Sequence, residues 1–202
     1  MGRIVATSSL QSYAERRQSH VESTYGNGPS AGYAIMARQG RQLPIRARSA
    51  MNTYQNLSEL QALIGSTLGT SDWIHIDQAR IDRFAAVTGD DQWIHVDPVR
   101  AAAGPFHATV AHGHLTLSLL PVIVRTAFNV ADVRMTVNYG LNRVRFPAPV
   151  PVGSRVRGHF KLLTFEPIAG GAQVVVEVTS EREGHSKPVC VAESVARHYV
   201  RT

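Results

Sequence analysis

The spacing of hydrophobic positions changes about two thirds of the way along the chain, from a helical period to alternation. The last third is rich in valine, and its apolar and polar side chains alternate as in strands with one buried face. Five strands are predicted there, over residues 134–139, 142–146, 154–165, 172–181 and 189–200. Glycine and proline turns separate them, which favours an antiparallel arrangement.

The part of the chain before these strands has helical spacing instead. Residues 52–63 predict an amphipathic helix, and residues 72–76 predict a short strand. Asp77 is a suitable N-cap for a second helix, which should end at Gly89. Pro98 suits the first turn of a short third helix.

Residues 112–128 are the most apolar segment of the chain. Leucine and valine occupy nearly every side of the helix predicted there, so it should lie in the middle of a core. Pro121 should kink or end it, because an interior proline costs about 3 kcal/mol. Helices followed by long antiparallel strands define an α+β domain. One apolar helix wrapped by a single curved sheet accounts for the predicted helices and strands.

The composition is that of a globular protein, with 44% hydrophobic and 18% charged residues. A single cysteine excludes an internal disulfide framework and a cysteine-rich zinc site. The longest apolar stretch, residues 115–124, is too short to span a bilayer and contains a proline. We therefore expect a cytoplasmic protein with no stable membrane association.

The net charge of +6 is concentrated near the start of the chain. Residues 1–50 have seven arginines and two acidic residues, whereas residues 51–202 have 14 basic and 13 acidic residues. The larger part is almost neutral, so no nucleic-acid partner is predicted. We divide the chain into a basic extension over residues 1–50, expected to be poorly ordered, and a folded domain over residues 51–202.

Three interpretations of residues 1–50 are open at the level of sequence. The segment is rich in arginine and serine and poor in acidic residues, as targeting peptides are. It could also be a basic arm that contacts phosphate, or an upstream extension or artefact that precedes the folded part. We favour the last, because Met51 opens the part of the chain with a folded pattern.

Asp90 and His95 are the first candidates for chemistry, in a predicted loop of sequence Gly-Asp-Asp-Gln-Trp-Ile-His. An aspartate can orient a histidine and stabilise its charged form, and the imidazole can take a proton from water near neutral pH. A spacing of five does not place two residues on one helix face, so the bend of the loop must bring them together. The alternative is a turn-capping aspartate and an ordinary loop histidine.

A second candidate begins at residue 109, where Thr-Val-Ala-His-Gly-His leads directly into the apolar helix. Free backbone N–H groups at a helix start can stabilise an oxyanion, and a glycine such as Gly113 lets a ligand approach closely. The alternative is that Gly113 only permits close packing. Together with Asp90 and His95, this helix start indicates chemistry beside a carbonyl group.

These segments resemble the MaoC-like dehydratase family, and within it the single-hotdog (R)-specific enoyl-CoA hydratases. The resemblance rests on Phe-Ala-Ala-Val-Thr-Gly-Asp at 84–90, Ile-His-Val-Asp-Pro at 94–98, Ala-His-Gly at 111–113 and Asn-Tyr-Gly-Leu-Asn-Arg-Val-Arg-Phe-Pro at 138–147. It covers about 150 residues, from near residue 57 to the C-terminus, and the order and spacing of its motifs agree.

The resemblance implies a hotdog fold, with a long central helix wrapped by a curved antiparallel sheet, and a homodimer with sites at the interface. It implies reversible addition of water to trans-2-enoyl-CoA to give the (R)-3-hydroxyacyl-CoA, with an acyl-CoA thioester as substrate and no cofactor. Asp90 and His95 match the family's catalytic pair, which activates the water and relays a proton to Cα. The amide of Gly113 matches the donor to the thioester carbonyl.

The chain departs from the family at a few positions. Gln92 and Trp93 stand where Asn-Pro is common, and His114 stands where an apolar residue is usual. The candidates for substrate binding are Trp93, Tyr139, Asn142 and Arg145. Packing under the loop is the favoured alternative for Trp93, and a solvated strand face is an equal alternative for Arg145.

The remaining chemically capable side chains are assigned structural roles. His112 is expected to pack or cap, and Cys190 to be a buried thiol. No metal is expected at the acidic residues and histidine of positions 90–97, because a metal site normally needs at least three converging ligands and Asp97 is better used as a helix cap.

Two other functions compete with the hydratase. A hotdog thioesterase would hydrolyse the same substrate with a carboxylate and a helix-end oxyanion site, but the Asp90–His95 loop favours addition of water. A non-catalytic acyl-CoA-binding or dimerisation module would keep the fold and lose the pair, so the presence of both residues weighs against it.

Overall fold

The structure, a computed structural model, describes residues 51–201. That part contains the helices α1 (Gln78–Thr88), α2 (Trp93–Val96), α3 (Pro98–Ala102), α4 (Gly113–Ser118) and α5 (Leu120–Ala127), and a 3-10 helix, Leu57–Leu63. Its strands are β1 (Asn52–Tyr54), β2 (Thr67–Thr70), β3 (Ile74–His75), β4 (Phe128–Val130), β5 (Val133–Arg145), β6 (Arg155–Ile168), β7 (Gly171–Arg182) and β8 (Cys190–Val200). The predicted extension over residues 1–50 lies outside the described residues. Within residues 51–201, no helix is long and apolar enough to cross a membrane.

The long strands form one antiparallel sheet in the order β2-β6-β7-β8-β5, with β3 also paired to β6. Strands β6, β7 and β8 follow one another as neighbours, as the short glycine turns between them predict. Strands β1 and β4 form a separate parallel pair. Helices precede the long strands, so the predicted α+β class is confirmed.

The inner face of the sheet is apolar because its central strands turn every second side chain toward the helices. Strand β7 shows this alternation most regularly, and its buried residues are Ala172, Val174, Val176, Val178 and Ser180. The valines of this face belong to one hydrophobic core with Leu119, Leu120 and Ile123 of the apolar helical segment. The core therefore lies between the sheet and that segment, as predicted.

The segment predicted as a single helix over residues 112–128 is two helices, α4 and α5, which meet at Leu119. Pro121 lies in the first turn of α5, where its missing N–H costs no helical hydrogen bond, so the break comes before the proline. Burial on all sides is wrong: Ile123 is 3% exposed, but Val122 next to it is 48% exposed. One face of α5 is left uncovered by residues 51–201.

Helix α5 packs very close to the sheet because two glycines face it. A Cβ on Gly69 of β2 would collide with the backbone carbonyl of Ala127, the last residue of α5. A Cβ on Gly158 of β6 would lie 2.8 Å from Cδ1 of Ile123. The first collision is with backbone, so no rotamer change relieves it.

Two expectations near the start of the domain are wrong. Residues 52–63 are not one helix, because Asn52–Tyr54 pairs with β4 and the 3-10 helix begins only after Asn56, whose side chain caps it. Strand β2 was not predicted at all. Its sequence, Thr-Leu-Gly-Thr, is short and contains a glycine, so it carries little alternation.

The strands predicted at residues 134–139 and 142–146 are one continuous strand, β5. Gly140 lies at a register shift in the pairing with β8 rather than at a turn. Strand β5 is at the edge of the sheet, and its apolar side chains are 39–58% exposed: Met135, Val137, Tyr139 and Leu141. A long edge strand is thus open along this side of the described chain.

Replacing Gly69 with alanine should destabilise the fold strongly, because the new methyl group meets the backbone of α5. We expect a loss of about 1–3 kcal/mol or more in the free energy of unfolding, measured by denaturant titration at fixed protein concentration. Gly140→Ala is the matched control, since a Cβ there meets nothing within 4 Å. Equal stability of Gly69→Ala and wild type would contradict this close packing.

Candidate active site

Asp90 lies in the short connection between α1 and α2, and His95 lies in α2. Helix α1 begins at its Asp77 cap and ends at Gly89, whose φ of 77° is left-handed, and both boundaries agree with the prediction. His95 belongs to helix α2 and not to a loop, because its amide donates to the carbonyl oxygen of Gln92 at 2.8 Å. The connection is therefore residues 89–92.

The imidazole of His95 is held by a backbone carbonyl. Its Nδ1 donates to the carbonyl oxygen of Val110 at 2.6 Å, and His95 is only 8% exposed. Because a carbonyl oxygen only accepts, Nδ1 carries the proton, and Nε2 of the neutral ring keeps a free lone pair. This is the tautomer that a general base requires.

Gln78 of α1 forms hydrogen bonds on both sides of the contact between His95 and Val110. The side chain of Gln78 donates to the carbonyl oxygen of His95 at 2.8 Å and accepts from the hydroxyl of Thr109. Thr109 is 1% exposed and precedes Val110, whose amide donates to Ile94 at 2.9 Å. The backbone on both sides of the His95 hydrogen bond is therefore fixed.

His112 contacts both members of the predicted pair. It is 2% exposed, and its Nε2 donates to the backbone carbonyl of Asp90 at 2.8 Å. Its ring stacks on His95 with the centroids 3.7 Å apart and the planes 25° apart. Phe84 packs on the same imidazole, with a centroid distance of 5.0 Å. His112 packs as expected, but its side chain does not cap α4.

The environment of His95 lowers the pKa of its imidazole. Burial is the largest cause, because it disfavours the charged form, and His112 lowers the pKa further. The hydrogen bond to Val110 and the carboxylate of Asp90 act in the opposite direction and offset part of the shift. His95 is therefore neutral, and able to accept a proton, at neutral pH.

The pair is spaced for one shared water molecule. One nitrogen of each histidine and a carboxylate oxygen of Asp90 lie within 4.8 Å of one another. Two hydrogen bonds of normal length that meet on one water oxygen span about 4.5–5.5 Å. The carboxylate and the imidazole can therefore bind the same water.

The same three residues are the candidate metal ligands within residues 51–201, but their geometry does not suit a metal ion. A metal lies in the plane of each imidazole that binds it, close to the ring nitrogen. The rings of His95 and His112 are stacked and only 25° from parallel, so their in-plane lone pairs do not converge on one point. The donor set favours hydrogen bonding over metal binding.

Gly113 is the first residue of α4, where a backbone N–H has no partner within the helix. A Cβ at this position would lie 2.7 Å from the ring of Phe146. Close packing therefore accounts for the glycine, as the alternative interpretation proposed. This packing concerns the Cα of Gly113 and not its backbone amide, so it leaves the role of the amide as a hydrogen-bond donor unchanged.

The four predicted substrate-binding residues are not joined to the pair. Among residues 51–201, no hydrogen bond or ion pair links any of them to Asp90 or His95. The ring of Trp93 packs against Gly104, and the Arg100 guanidinium lies over it, 4.6 Å from the ring centre. These contacts agree with the favoured alternative, in which Trp93 packs under the loop.

The other three are on the exposed strand β5. The Arg197 guanidinium lies 3.5 Å from the ring centre of Tyr139, and Arg145 donates to the carbonyl oxygen of Val144. Asn142 is exposed. Within one chain, these residues therefore face solvent or the sheet surface rather than the pair.

A cavity of about 910 Å³ opens between the apolar helices and strands β5 and β8. Leu117 and Ser118 of α4 line one side, and Tyr139, Leu141 and Val176 line the other. Tyr139 is the one predicted substrate-binding residue among its described lining residues. The lining of the cavity could not be predicted from the sequence, because its walls come from segments distant in the chain.

The supports of His95 were not predicted from the sequence either. Gln78 had no motif to mark it, and Val110 acts through its backbone carbonyl, which any residue type would supply. The one sequence signal for His112 is its position directly before Gly113 in the family motif. The stacking of its ring on His95 is visible only in the structure.

Three comparisons with known proteins place this geometry in context. A 3-hydroxyacyl-thioester dehydratase Z from Mycobacterium tuberculosis is 52% identical over 149 residues, which cover 73% of this chain and 99% of the relative. An R-hydratase from Pseudomonas aeruginosa has a similar structure, with a TM-score of 0.56 and 23% identity over 73% of this chain and 89% of its own.

A 3R-hydroxyacyl-ACP dehydratase complex from Mycobacterium tuberculosis is also similar, with a TM-score of 0.52 and 18% identity over 66% of this chain and 96% of the matched one. At such identities the two structures establish the fold, so the predicted hotdog architecture is confirmed. The sequence profile of the MaoC like domain matches residues 59–184. From that match and the 52% identity, we conclude that this chain belongs to the MaoC-like domain family.

Proposed function

We propose that this chain is a hydro-lyase, an (R)-specific enoyl-thioester hydratase that also dehydrates the 3-hydroxyacyl thioester. The observation that carries the proposal is the hydrogen bond from His95 Nδ1 to the Val110 carbonyl, which leaves the Nε2 lone pair of a histidine clustered with Asp90 free to accept a proton. The name of the 52% identical relative, a 3-hydroxyacyl-thioester dehydratase, supports the same reaction class.

In the hydration direction, Asp90 and His95 bind one water between them. As the water oxygen attacks Cβ of the enoyl thioester, His95 Nε2 takes its proton. The electrons of the double bond move toward the thioester carbonyl, and an enolate forms. The proton then returns from the pair to Cα, so one water has been added and the base is restored. Dehydration follows the same steps in reverse.

Charge on the thioester oxygen needs a donor, and we assign that role to the amide of Gly113. It lies in the first turn of α4, next to His112, and has no partner within the helix. A fixed donor at a developing oxyanion is worth about 3 kcal/mol of transition-state stabilisation.

An acyl-CoA thioester is the proposed substrate, with the acyl chain in the 910 Å³ cavity. The walls of the cavity are mostly apolar, and its Leu117 and Ser118 belong to the same helix as Gly113. Tyr139, Asn142 and Arg145 would contact substrate from β5, and Trp93 would shape the loop above the pair. The reaction needs no cofactor, and we place it in the cytoplasm.

A homodimer is part of the proposal, with a second copy on strand β5. Among the described strands β5 pairs only with β8, and four of its apolar side chains are 39–58% exposed. Val122 on α5 is 48% exposed, and the side chain of Asp90 is 59% exposed. A partner that pairs along β5 would cover an edge that otherwise invites aggregation.

A thioesterase is the second candidate, because a carboxylate and an oxyanion donor also suit hydrolysis. The neutral His95 with a free Nε2 favours addition to the double bond, since it can return the proton to Cα. A binding module without catalysis is the third. A thioesterase would release a free thiol, and a binding module would bind the substrate without turnover, so both can be told apart from a hydratase.

The first test follows the enoyl-thioester absorbance of trans-2-enoyl-CoA with free thiol measured in the same samples. Asp90→Asn and His95→Gln should each lower kcat by about 10²–10⁴-fold, because each removes a proton-handling group. Asp91→Asn is the matched control, an exposed neighbour that should retain wild-type activity. Release of thiol would indicate a thioesterase, and binding without turnover would indicate a binding module.

The pH profile tests the role of His95 as the base. Its pKa is lowered by burial, so the neutral form persists below the ordinary imidazole value of about 6.5. We expect kcat/KM for hydration to hold as pH falls through that value and to drop only as pH passes the lowered pKa. His185→Gln, an exposed imidazole, should leave the acid limb unchanged. An acid limb at or above the ordinary value would contradict the assignment.

Light scattering tests the dimer. We expect a particle of about twice the 22.0 kDa chain. Charges on the open edge, in the double variant Met135→Lys with Val137→Lys, should shift it toward the single chain. Asp91→Asn serves as the control away from β5. A monomeric wild type with full activity would contradict a site completed by a second copy.

A further inference from the structure

His112 is buried beside the proposed catalytic pair, yet the reaction described above gives it no task. Within residues 51–201, it is the side chain that both hydrogen-bonds to Asp90 and stacks on His95. Its second ring nitrogen, Nδ1, is buried without a hydrogen-bond partner there. A buried polar atom in that condition is costly, so the residue needs an explanation.

The first contact of His112 holds the backbone of Asp90. Nε2–H donates to that carbonyl at 2.8 Å, whereas the Asp90 amide has only a long contact of 3.4 Å with the Thr88 hydroxyl. The carboxylate of Asp90 is largely exposed, and its Oδ2 lies 4.0 Å from His112 Nε2. The position of Asp90 therefore depends mainly on His112.

The second contact holds the plane of His95. The Val110 carbonyl fixes one atom of the His95 ring but leaves the ring free to tilt about that hydrogen bond. The stacked face of His112, 3.7 Å away, removes this freedom. Phe84 packs on His112 in turn, so the supporting ring is itself supported.

The unpartnered Nδ1 fits this supporting role. Because Nε2 must donate to the Asp90 carbonyl, a neutral His112 has no proton on Nδ1. In that tautomer Nδ1 has no proton to donate, so the residue acts through its Nε2–H and its stacked face.

We propose that His112 is the positioning residue of the site, which aligns Asp90 through its Nε2–H and His95 through its ring so that both reach one water. The proposal deepens the hydratase function and rests on it. It assigns His112 no contact with substrate. Its action on His95 can be observed without turnover, so it can be tested separately.

Two variants separate the two contacts. His112→Phe keeps an aromatic face against His95 and removes the donor to Asp90. His112→Gln offers an amide donor and removes the ring. Cys190→Ala is the control for buried substitutions, because Cys190 is fully buried in β8. Thermal unfolding establishes that each variant is folded, and either His112 variant alone suffices for the test.

The first readout is NMR titration of the isotope-labelled histidine side chains. Burial is the main cause that lowers the pKa of His95, and His112 lowers it further, whereas the Val110 hydrogen bond and Asp90 raise it. We expect the pKa of His95 to rise in both variants, and further in His112→Gln, which admits water where the ring was. Cys190→Ala should leave it unchanged. An unchanged His95 titration in both His112 variants would overturn the proposal.

The second readout is steady-state hydration of trans-2-enoyl-CoA. Misplacing a catalytic group lowers the rate without weakening binding, so kcat should fall about 10- to 100-fold while KM changes much less. The acid limb of the profile should move to higher pH, which a general loss of stability would not cause. Wild-type kcat and acid limb in both folded variants would make the proposal wrong.

The two readouts distinguish a failure of the proposed hydratase function from a failure of the positioning role of His112. A wild type without hydratase activity contradicts the proposed function, and the NMR titration then decides alone whether His112 controls His95. An active wild type that loses activity in Asp90→Asn and His95→Gln, but not in the His112 variants, contradicts only the positioning role.

Discussion

The site depends on one short extended run, residues 109–111, that is hydrogen-bonded on both sides. Toward α2 it bonds Ile94 and His95, and on the other side it bonds Val150 and Val152. A backbone carbonyl held in this way has no rotamer to change. The tautomer of the histidine is therefore set by the fold itself rather than by a neighbouring side chain.

Helix α4 connects the two functional regions of the molecule. Its first turn begins at Gly113, beside the stacked histidines, and Leu117 and Ser118 at its other end line the cavity. A helix of six residues spans about 9 Å, so the reacting carbons and the far part of an acyl chain would lie at opposite ends of one rigid element. The break at Leu119 then lets α5 turn against the glycines of the sheet.

The sequence predicted those parts that residue types encode directly. Asp77 and Gly89 mark α1 because a cap needs an acceptor and a left-handed residue favours glycine. The alternation of β7 marks the sheet. The Val110 carbonyl could not be predicted, since every residue has one. Strand β5 was divided at Gly140 because a bulge and a turn leave the same local signal.

Tertiary contacts explain the remaining differences. Residues 52–54 become a strand because β4, far along the chain, offers a partner for them. The roles of Gln78 and His112 arise from neighbours brought together only by folding. Family motifs singled out Asp90 and His95, whereas the supports around them follow from the three-dimensional arrangement.

The burial of Cys190 has a practical consequence. It is fully buried in β8, and desolvation raises the pKa of its thiol to about 11. A thiol reagent in neutral solution therefore meets almost no thiolate while the sheet is closed. Since this is the chain's only cysteine, the rate at which its thiol is labelled would report how often the sheet opens.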